Sequence, residues 1–430
     1  MTPQSNLMVV APILESREEE LRRMLSTMNL EPGVAAPENS LLPFAQLGTL
    51  HFARFVILED DTRDDLTAYG MAPASAAKSL AFLCDFDGPR DVFLRDLVAR
   101  ADSGLRKLFS CCQPGPGADL LRWLEANNRP ASAAYVNWIG RTVKQVREES
   151  ALYDALVPRI DSMGQQLSAK QVWSQMRQYV KQEQTLGRLL LTPPEPTPIA
   201  WRIKNLLHCI GVPLLLVLFL PLILLYLPVF LIQLRLHEIS DPVIAPRPTT
   251  EHAYQLATLE DRIVTNQFSA YGNIKPGPFR KWTITAVFFA IDYTARHIFN
   301  RGFLARVVTI QFARWVFLDN NTRAFFASNY DGSLEAYMGD FINKVAWGLN
   351  IVFSNGLGYP RTNWLMAGGA KDELTFKDYL RRHQLPTQVW YNATPGVTAH
   401  DKERNSRIRQ GLEKDSMSPA ELKQWIRLFG

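Results

Sequence analysis

Two aspartates, Asp87 and Asp331, each end an apolar run that has the length of a β-strand. A hairpin is predicted at residues 319–323, and Gln311 and Asp331 are equally far from its midpoint. They are therefore expected to face each other on adjacent strands. The similarity between two parts of the chain, described below, places His51 opposite Asp87 in the same way.

The expected His51–Asp87 pair has two interpretations. It could act as an acid–base dyad, or hold one tautomer of the imidazole for a ligand, so that His51, Asp87 and Asp331 are candidate catalytic residues. Alternatively the pair is structural, and Asp87 also caps a helix that begins near Arg90. The second part of the chain has Gln311 in place of the histidine. This is expected if one copy alone keeps a role in proton transfer or ligand binding, and drift alone could also produce it.

Two arginines, Arg54 and Arg314, lie at matching positions inside apolar predicted strands. A buried guanidinium needs an acceptor, because burying an unpaired charge is costly. Arg54 is therefore a candidate contact for a carboxylate or a lipid head group, and Arg314 a candidate catalytic residue. The alternative is a salt bridge to a nearby carboxylate such as Asp85, Asp87 or Asp331.

A third candidate contact lies in the stretch 354–362, Ser-Asn-Gly-Leu-Gly-Tyr-Pro-Arg-Thr, which follows a predicted strand. Its two glycines and Arg361 could bind a phosphate or carboxylate of a cofactor. No Walker A, GxSxG or HExxH motif occurs, which argues against nucleotide-driven, α/β-hydrolase and zincin chemistry. The formal net charge of +5 in 430 residues does not indicate a nucleic-acid partner.

The elements that must position these residues occur twice. Residues 50–58 match 310–318, and residues 81–88 match 325–332. Further collinear matches are Gly104, Leu105, Phe109 and Ser110 with Gly348, Leu349, Phe353 and Ser354, and Leu124, Pro130 and Tyr135 with Leu380, Pro386 and Tyr391. These collinear matches predict two homologous halves.

Each half is predicted to have the order β-α-β-β-α-β, which is that of a ferredoxin-like unit. The last strands are placed near 105–111 and 349–355. The predicted fold class is thus α+β, with two tandem ferredoxin-like domains that pair as a pseudo-dimeric barrel. The expected domains are a first repeat at 1–160, a helical connector at 161–262 and a second repeat at 263–430.

The connector contains a predicted membrane segment, because residues 205–234 include no Asp, Glu, Lys or Arg. Pro213, Pro221 and Pro228 would bend a helix there. We expect a hairpin or re-entrant segment, since a single span would separate halves that should pair. The alternative is a buried core helix of a soluble protein. The N-terminal residues do not form a secretory signal, which predicts globular domains on the cytoplasmic face.

At its two Asp-Gly blocks, residues 84–88 and 328–332, the chain resembles the dimeric α+β-barrel superfamily. Two ferredoxin-like units form a shared barrel there, and dye-decolorising peroxidases and chlorite dismutases are its haem-binding members. The peroxidase motif is Gly-x-x-Asp-Gly, and both blocks lack the first glycine. The resemblance implies haem as a cofactor and a proximal histidine after the second block, where His383 and His400 are available. His383 becomes the candidate metal ligand, and Arg54 a candidate contact for a haem propionate.

These features together predict a membrane-attached enzyme that acts on an apolar, lipid-derived substrate taken from the bilayer. The resemblance implies peroxidase- or oxygenase-like oxidoreductase chemistry. The alternative is a non-catalytic membrane-anchored scaffold or lipid-binding protein. The expected partners are the lipid bilayer and a small apolar molecule, with no nucleic acid, and the oligomeric state is left open.

Overall fold

The computed structural model describes residues 1–73, 77–163 and 167–430, which form an α+β structure with antiparallel sheets. The strands of the two main sheets are β1 Gln4–Pro12, β2 Leu50–Leu58, β3 Ser79–Asp87, β4 Ala133–Val136, β5 Thr265–Asn273, β6 Ile310–Leu318, β7 Arg323–Asp331 and β8 Thr387–Asn392. The helices are α1 Glu18–Ser26, α2 Arg90–Phe109, α3 Leu120–Ala126, α4 Val143–Asp161, α5 Ala169–Thr185, α6 Ile199–Leu218, α7 Leu220–Ser240, α8 Thr250–Ala257, α9 Pro278–His297, α10 Leu334–Phe353, α11 Glu373–His383, α12 Ala399–Glu413 and α13 Pro419–Ile426. Shorter elements are the hairpins Asn29–Glu31 with Val34–Ala35 and Thr362–Asn363 with Ala367–Gly368, and 3-10 turns at Glu15–Arg17, Phe44–Gln46, Arg63–Tyr69, Gly369–Lys371 and Arg427–Phe429.

The first sheet has the strand order β1-β3-β2-β8. Both of its faces are covered, which explains why β2 and β3 are almost continuously apolar instead of alternating with polar residues. On one face Phe55 and Phe82 belong to a core shared with α1, α2 and α3. On the other face Val56 and Leu83 pack against the second sheet.

The second sheet has the order β4-β6-β7-β5 and repeats the register of the first. In the first sheet Arg54 pairs with Leu83, and a bulge precedes it between Leu50 and Phe52. In the second sheet Arg314 pairs with Ala327, with a bulge between Ile310 and Phe312. The two matching sequence blocks therefore occupy equivalent places in the two sheets.

The two halves of the chain exchange strands, because β4 pairs with β6 and β8 pairs with β2. The segment before β4 first bonds to β1, with Arg129 N donating to Met8 O at 2.7 Å. The segment before β8 bonds to β5 in the same way, with Leu385 N donating to Ser269 O at 2.8 Å. Each crossing segment thus joins the edge of one sheet to the other sheet.

The strands predicted at 105–111 and 349–355 are wrong, because these residues continue the helices α2 and α10. Leu97, Ala101, Leu105 and Leu108 are all buried, and their spacing is helical. Both helices deviate from helical geometry at equivalent positions, Ala101 in α2 and Val345 in α10. The fourth strand of each half is instead β4 or β8, which follows Pro130 or Pro386 of the last sequence match.

The apolar connector forms two helices, α6 and α7, which together are called the apolar arch (residues 199–240). Each is long and apolar enough to cross a membrane, and very little of either is buried. Helical hydrogen bonds continue across the junction, from Phe219 N to Leu215 O and from Ile223 N to Phe219 O, both 2.9 Å. Pro221, which lacks a backbone donor, lies directly after this junction.

The middles of the two arch helices contact opposite ends of α9. In α6, His208 Nδ1 is 2.8 Å from Nε2 of His297 near the end of α9. In α7, Phe230 packs on Phe279 at the beginning of α9, with ring centroids 5.4 Å apart. These two sites on α9 are separated by roughly 25 Å at 1.5 Å per residue, so the two helices form a wide arch along α9.

Candidate functional site

A cavity of about 510 Å³ lies between α9, α10 and the helix-facing side of the second sheet. Its floor is formed by β6 and β7 residues such as Ala313 and Phe326, and its sides by residues such as Val287 and Phe341. None of the described residues that line it carries a charged side chain. The volume is within the range of ligand pockets, about 300–1,000 Å³, and the wall is suited to a hydrocarbon.

The cavity exists because side chains fill the core of the first half, whereas the equivalent core of the second half is not filled. In the first half the segment 28–47 inserts Met28, Leu42 and Phe44, each completely buried, into the core beside β2 and β3. In the second half the corresponding connection between α9 and β6 covers only residues 298–309. The second half therefore has fewer side chains with which to fill the space under its helices.

The cavity adjoins the apolar arch. Phe230 of α7 forms part of its wall, and so does Leu365 in the loop that follows the short strand Thr362–Asn363. Trp347, another wall residue, is half exposed, as is Phe289 on α9. The cavity wall thus continues to apolar side chains that are exposed beside the arch.

A buried carboxylate joins the end of α7 to the loop beside the cavity. Glu238 near the end of α7 accepts hydrogen bonds from Trp364 N and Thr362 Oγ1, both at 2.8 Å, and from Leu365 N at 2.9 Å. Arg361, predicted to contact a cofactor, donates to the carbonyl oxygens at the end of α7 at 3.0 and 3.2 Å. Arg361 thus satisfies carbonyl groups that a helix end leaves unpaired.

The predicted His51–Asp87 contact is present, with His51 Nε2 2.8 Å from Asp87 Oδ1 and both side chains buried. Asp87 Oδ2 accepts a hydrogen bond from Val143 N at 2.9 Å, which satisfies a donor at the start of α4. The expected cap on the helix near Arg90 is wrong, because the residue before that helix is Pro89, with no side-chain cap. Whether His51 has a catalytic role stays a prediction.

The second half repeats this arrangement without a histidine. Gln311 Nε2 donates to Asp331 Oδ1 at 2.6 Å, and Asp331 Oδ2 accepts from Ala399 N at the start of α12, also at 2.6 Å. Lys402 lies beside Gln311 Oε1 and is buried, and this burial lowers the pKa of Lys402 to about 8. Burial also raises the pKa of Asp331, against its hydrogen bonds to Ala399 N and Gln311. Each aspartate thus joins a sheet to the helix after the exchanged strand.

This similarity predicts a small effect of His51→Gln. The glutamine can make the hydrogen bond that Gln311 makes to Asp331, so the loss in free energy of unfolding should be below about 1 kcal/mol. Asp87→Ala should cost about 2–3 kcal/mol, because it removes the partner of His51 and the acceptor for Val143 N. Thermal unfolding of His51→Gln and Asp87→Ala measures the difference in stability between them. Asp331→Ala is the variant at the equivalent position of the second half. Equal losses for His51→Gln and Asp87→Ala would contradict it.

Arg54 and Arg314 lie between the two sheets and reach across in opposite directions. Arg54 donates to Phe268 O at 2.8 Å and to Ser328 O at 3.0 Å, both in the second sheet, and contacts the Asn329 side chain. Burial lowers the pKa of the Arg54 guanidinium.

Arg314 donates to Leu7 O at 2.7 Å and Cys84 O at 2.8 Å in the first sheet, and forms an ion pair with Asp85. The free space beside the two arginines is about 10 Å³, which is room for one water molecule. Arg314 therefore forms the salt bridge to a nearby carboxylate that was the alternative to a ligand contact. Both arginines hold the two sheets together.

The surroundings of His383 do not fit a haem. Its Nδ1 is 2.8 Å from the carbonyl oxygen of Tyr379, and its Nε2 is 3.3 Å from Thr62 Oγ1. The backbone of Gly272 lies directly against the ring, so that even a methyl group there would meet His383. The adjoining cavity measures about 50 Å³, and burial lowers the pKa of the imidazole. Among the described residues, no group of three or more metal-ligating side chains was found.

Comparison of the chain with protein-family models, with curated proteins and with solved structures finds no match. The geometry of the cavity therefore carries the functional assignment. The cavity was not predicted from the sequence, although two signals for it exist. The connection before β6 is much shorter than the one before β2, and Trp315 replaces Phe55 at the matching position.

Proposed function

We propose that this chain is a membrane-attached protein that takes an apolar, lipid-derived molecule from the bilayer into the cavity under α9 and α10. The observation that carries the proposal is the uncharged cavity of about 510 Å³, whose wall includes Phe230 of the apolar arch. Binding is favoured over turnover, because no titratable carboxylate, histidine or lysine is among the described residues that line the cavity.

Attachment to the bilayer is supported by the surface of the arch. Large apolar side chains such as Leu214, Leu218 and Leu225 are more than half exposed, and exposed apolar patches of this extent mark sites of membrane or protein contact. Arg202 and Lys204 precede the apolar run and Arg235 follows it, at the positions where basic residues meet lipid head groups.

We propose further that the halves are ferredoxin-like units that pair as a pseudo-dimeric barrel by exchanging their fourth strands. This architecture requires both halves on the same side of the membrane, since each sheet contains a strand from each half. The arch then enters and leaves the bilayer on one face, which in this proposal is the cytoplasmic one. Haem has no part in the proposal, because the surroundings of His383 do not fit it.

The proposal predicts opposite results for one substitution made at two matching positions. Ala313→Phe extends a ring into the cavity, so it should leave the unfolding temperature nearly unchanged and weaken lipid binding tenfold or more. Ala53→Phe, at the equivalent position, overfills the core beside Phe44 and should cost about 1–3 kcal/mol.

Binding is measured with the full chain in lipid nanodiscs and a methyl palmitate analogue that carries a photoreactive diazirine. Labelled peptides are identified by mass spectrometry, and labelling of β6 and α10 that unlabelled methyl palmitate suppresses is the expected result. Labelling of the arch alone, or unchanged cavity labelling in Ala313→Phe, would overturn the proposed function.

A further inference from the structure

A strained turn, called here the Trp364 turn (residues 363–366), joins the two short strands Thr362–Asn363 and Ala367–Gly368. Its central residues, Trp364 and Leu365, have φ angles of 55° and 57°, in the left-handed region that is costly for L-residues. The other described non-glycine residues with positive φ are aspartate, asparagine or alanine. Turns with two left-handed central residues usually contain asparagine, aspartate or glycine. Chain reversal alone therefore does not account for two large apolar residues here.

The turn is joined to the arch through its backbone. Trp364 N and Leu365 N donate to the Glu238 carboxylate at 2.8 and 2.9 Å. Any residue other than proline could supply these two bonds. Leu365 also forms part of the cavity wall, whereas Trp364 and Met366 are 47% and 55% exposed. The side chains of Trp364 and Met366 are thus large apolar groups held at the surface beside the end of α7.

The turn lies at the level where the apolar run of the arch ends. Arg235 is the first charged residue after the run 205–234, so it marks the position at which α7 would leave the hydrocarbon of a bilayer. The Arg235 guanidinium is 5.8 Å from the centroid of the Trp364 ring and donates to Glu238 at 3.1 Å. Trp364 is therefore at the level of lipid head groups, where a side chain with an apolar ring and a polar N–H is favoured.

We infer that the Trp364 turn is a second membrane contact, which inserts Trp364 and Met366 into the head-group region of the bilayer. This inference rests on the proposed function, because it requires the arch to enter the same bilayer. Insertion removes both exposed side chains from water, which offsets the cost of the left-handed backbone. It also brings Leu365, and with it the cavity wall, to the lipid surface. A bilayer is favoured over a protein partner because the turn is fixed to the charged end of a helix that is itself long and apolar enough to cross a membrane.

The test uses the full chain with the fluorophore NBD attached through Met366→Cys in a Cys209→Ser background, since the other three cysteines are buried. In vesicles, a lipid with a spin label near its head group should quench this NBD at least about twofold more than one labelled at the chain end, because interfacial groups lie only about 5–10 Å deep. Leu218→Cys, 69% exposed at the junction of the arch helices, should be quenched in the same vesicles. Leu30→Cys, 68% exposed in the first half, should be quenched by neither lipid.

Trp364→Asn separates a membrane role from a role in the turn. Asparagine adopts the left-handed conformation more readily than tryptophan and keeps the backbone N–H that bonds to Glu238. The unfolding temperature should therefore not fall, while head-group quenching at position 366 should fall about twofold, because an amide replaces a large apolar side chain. A lowered unfolding temperature with unchanged quenching would assign Trp364 to the fold alone and overturn the inference.

The outcomes also separate the inference from the proposed function. If position 218 is quenched and position 366 behaves as position 30 does, the turn is not a membrane contact, and the inference is wrong while the proposed function stands. If neither position 218 nor position 366 is quenched, the arch does not enter the bilayer and both are overturned. Should Met366→Cys fail to fold, Ala367→Cys, also exposed on this hairpin, takes its place.

Discussion

Replacing Asp85 by asparagine is expected to lower the free energy of unfolding by about 3–5 kcal/mol, the cost of removing one partner from a buried ion pair. Asp85 is the carboxylate that pairs with Arg314 between the sheets. The equivalent position in the second half is Asn329, which contacts Arg54. After the substitution both buried guanidinium groups would face amides, and the remaining carbonyl acceptors could not balance the second charge.

The measurement is the midpoint of thermal or denaturant unfolding of the full chain in detergent. Asp91→Asn is the control, since Asp91 pairs with Arg95 on the exposed surface of α2, where ion pairs contribute at most about 1 kcal/mol. A loss for Asp85→Asn no larger than that of the control would show that the arginines do not hold the sheets together through this carboxylate.

The second large effect concerns the arch. Leu216 and Leu225 lie on either side of the junction between α6 and α7 and are 53% and 75% exposed. Changing both to arginine should release the protein from vesicles, because each arginine costs about 2.5–3.5 kcal/mol in the bilayer interior. The two together should lower the bound fraction at least a hundredfold without altering the sheets, which the arch does not cover.

Flotation of the protein with phospholipid vesicles measures this release. The matched control carries Leu30→Arg and Leu186→Arg, which change equally exposed leucines outside the arch. It should float as the wild type does. Continued flotation of the Leu216→Arg, Leu225→Arg variant would place the membrane contact elsewhere on the molecule.

The two matched polar pairs show how far local sequence determines geometry. Gln311 and Asp331 are predicted to face each other because they are equally far along the chain from a short hairpin. The match between the halves then places His51 against Asp87. Both contacts occur in the structure. Strand register near a tight turn is set by local chain geometry, so it can be read from spacing. The helices that the aspartates cap follow the exchanged strands in the chain. No local sequence pattern indicates which helix will begin next to each aspartate.

The sequence by itself determined the duplicated α+β composition, the positions of β2, β3, β6 and β7, and an apolar connector of membrane-spanning length. Each of these is recorded in residue spacing or in an uncharged run. Only the tertiary structure decided that the fourth strands exchange sheets, that the connector forms a wide arch over α9, and that one core is filled while its counterpart is hollow. These depend on contacts between segments far apart in the chain. A cavity is the absence of side chains that distant segments do not supply, and the spacing of the residues around it does not record that absence.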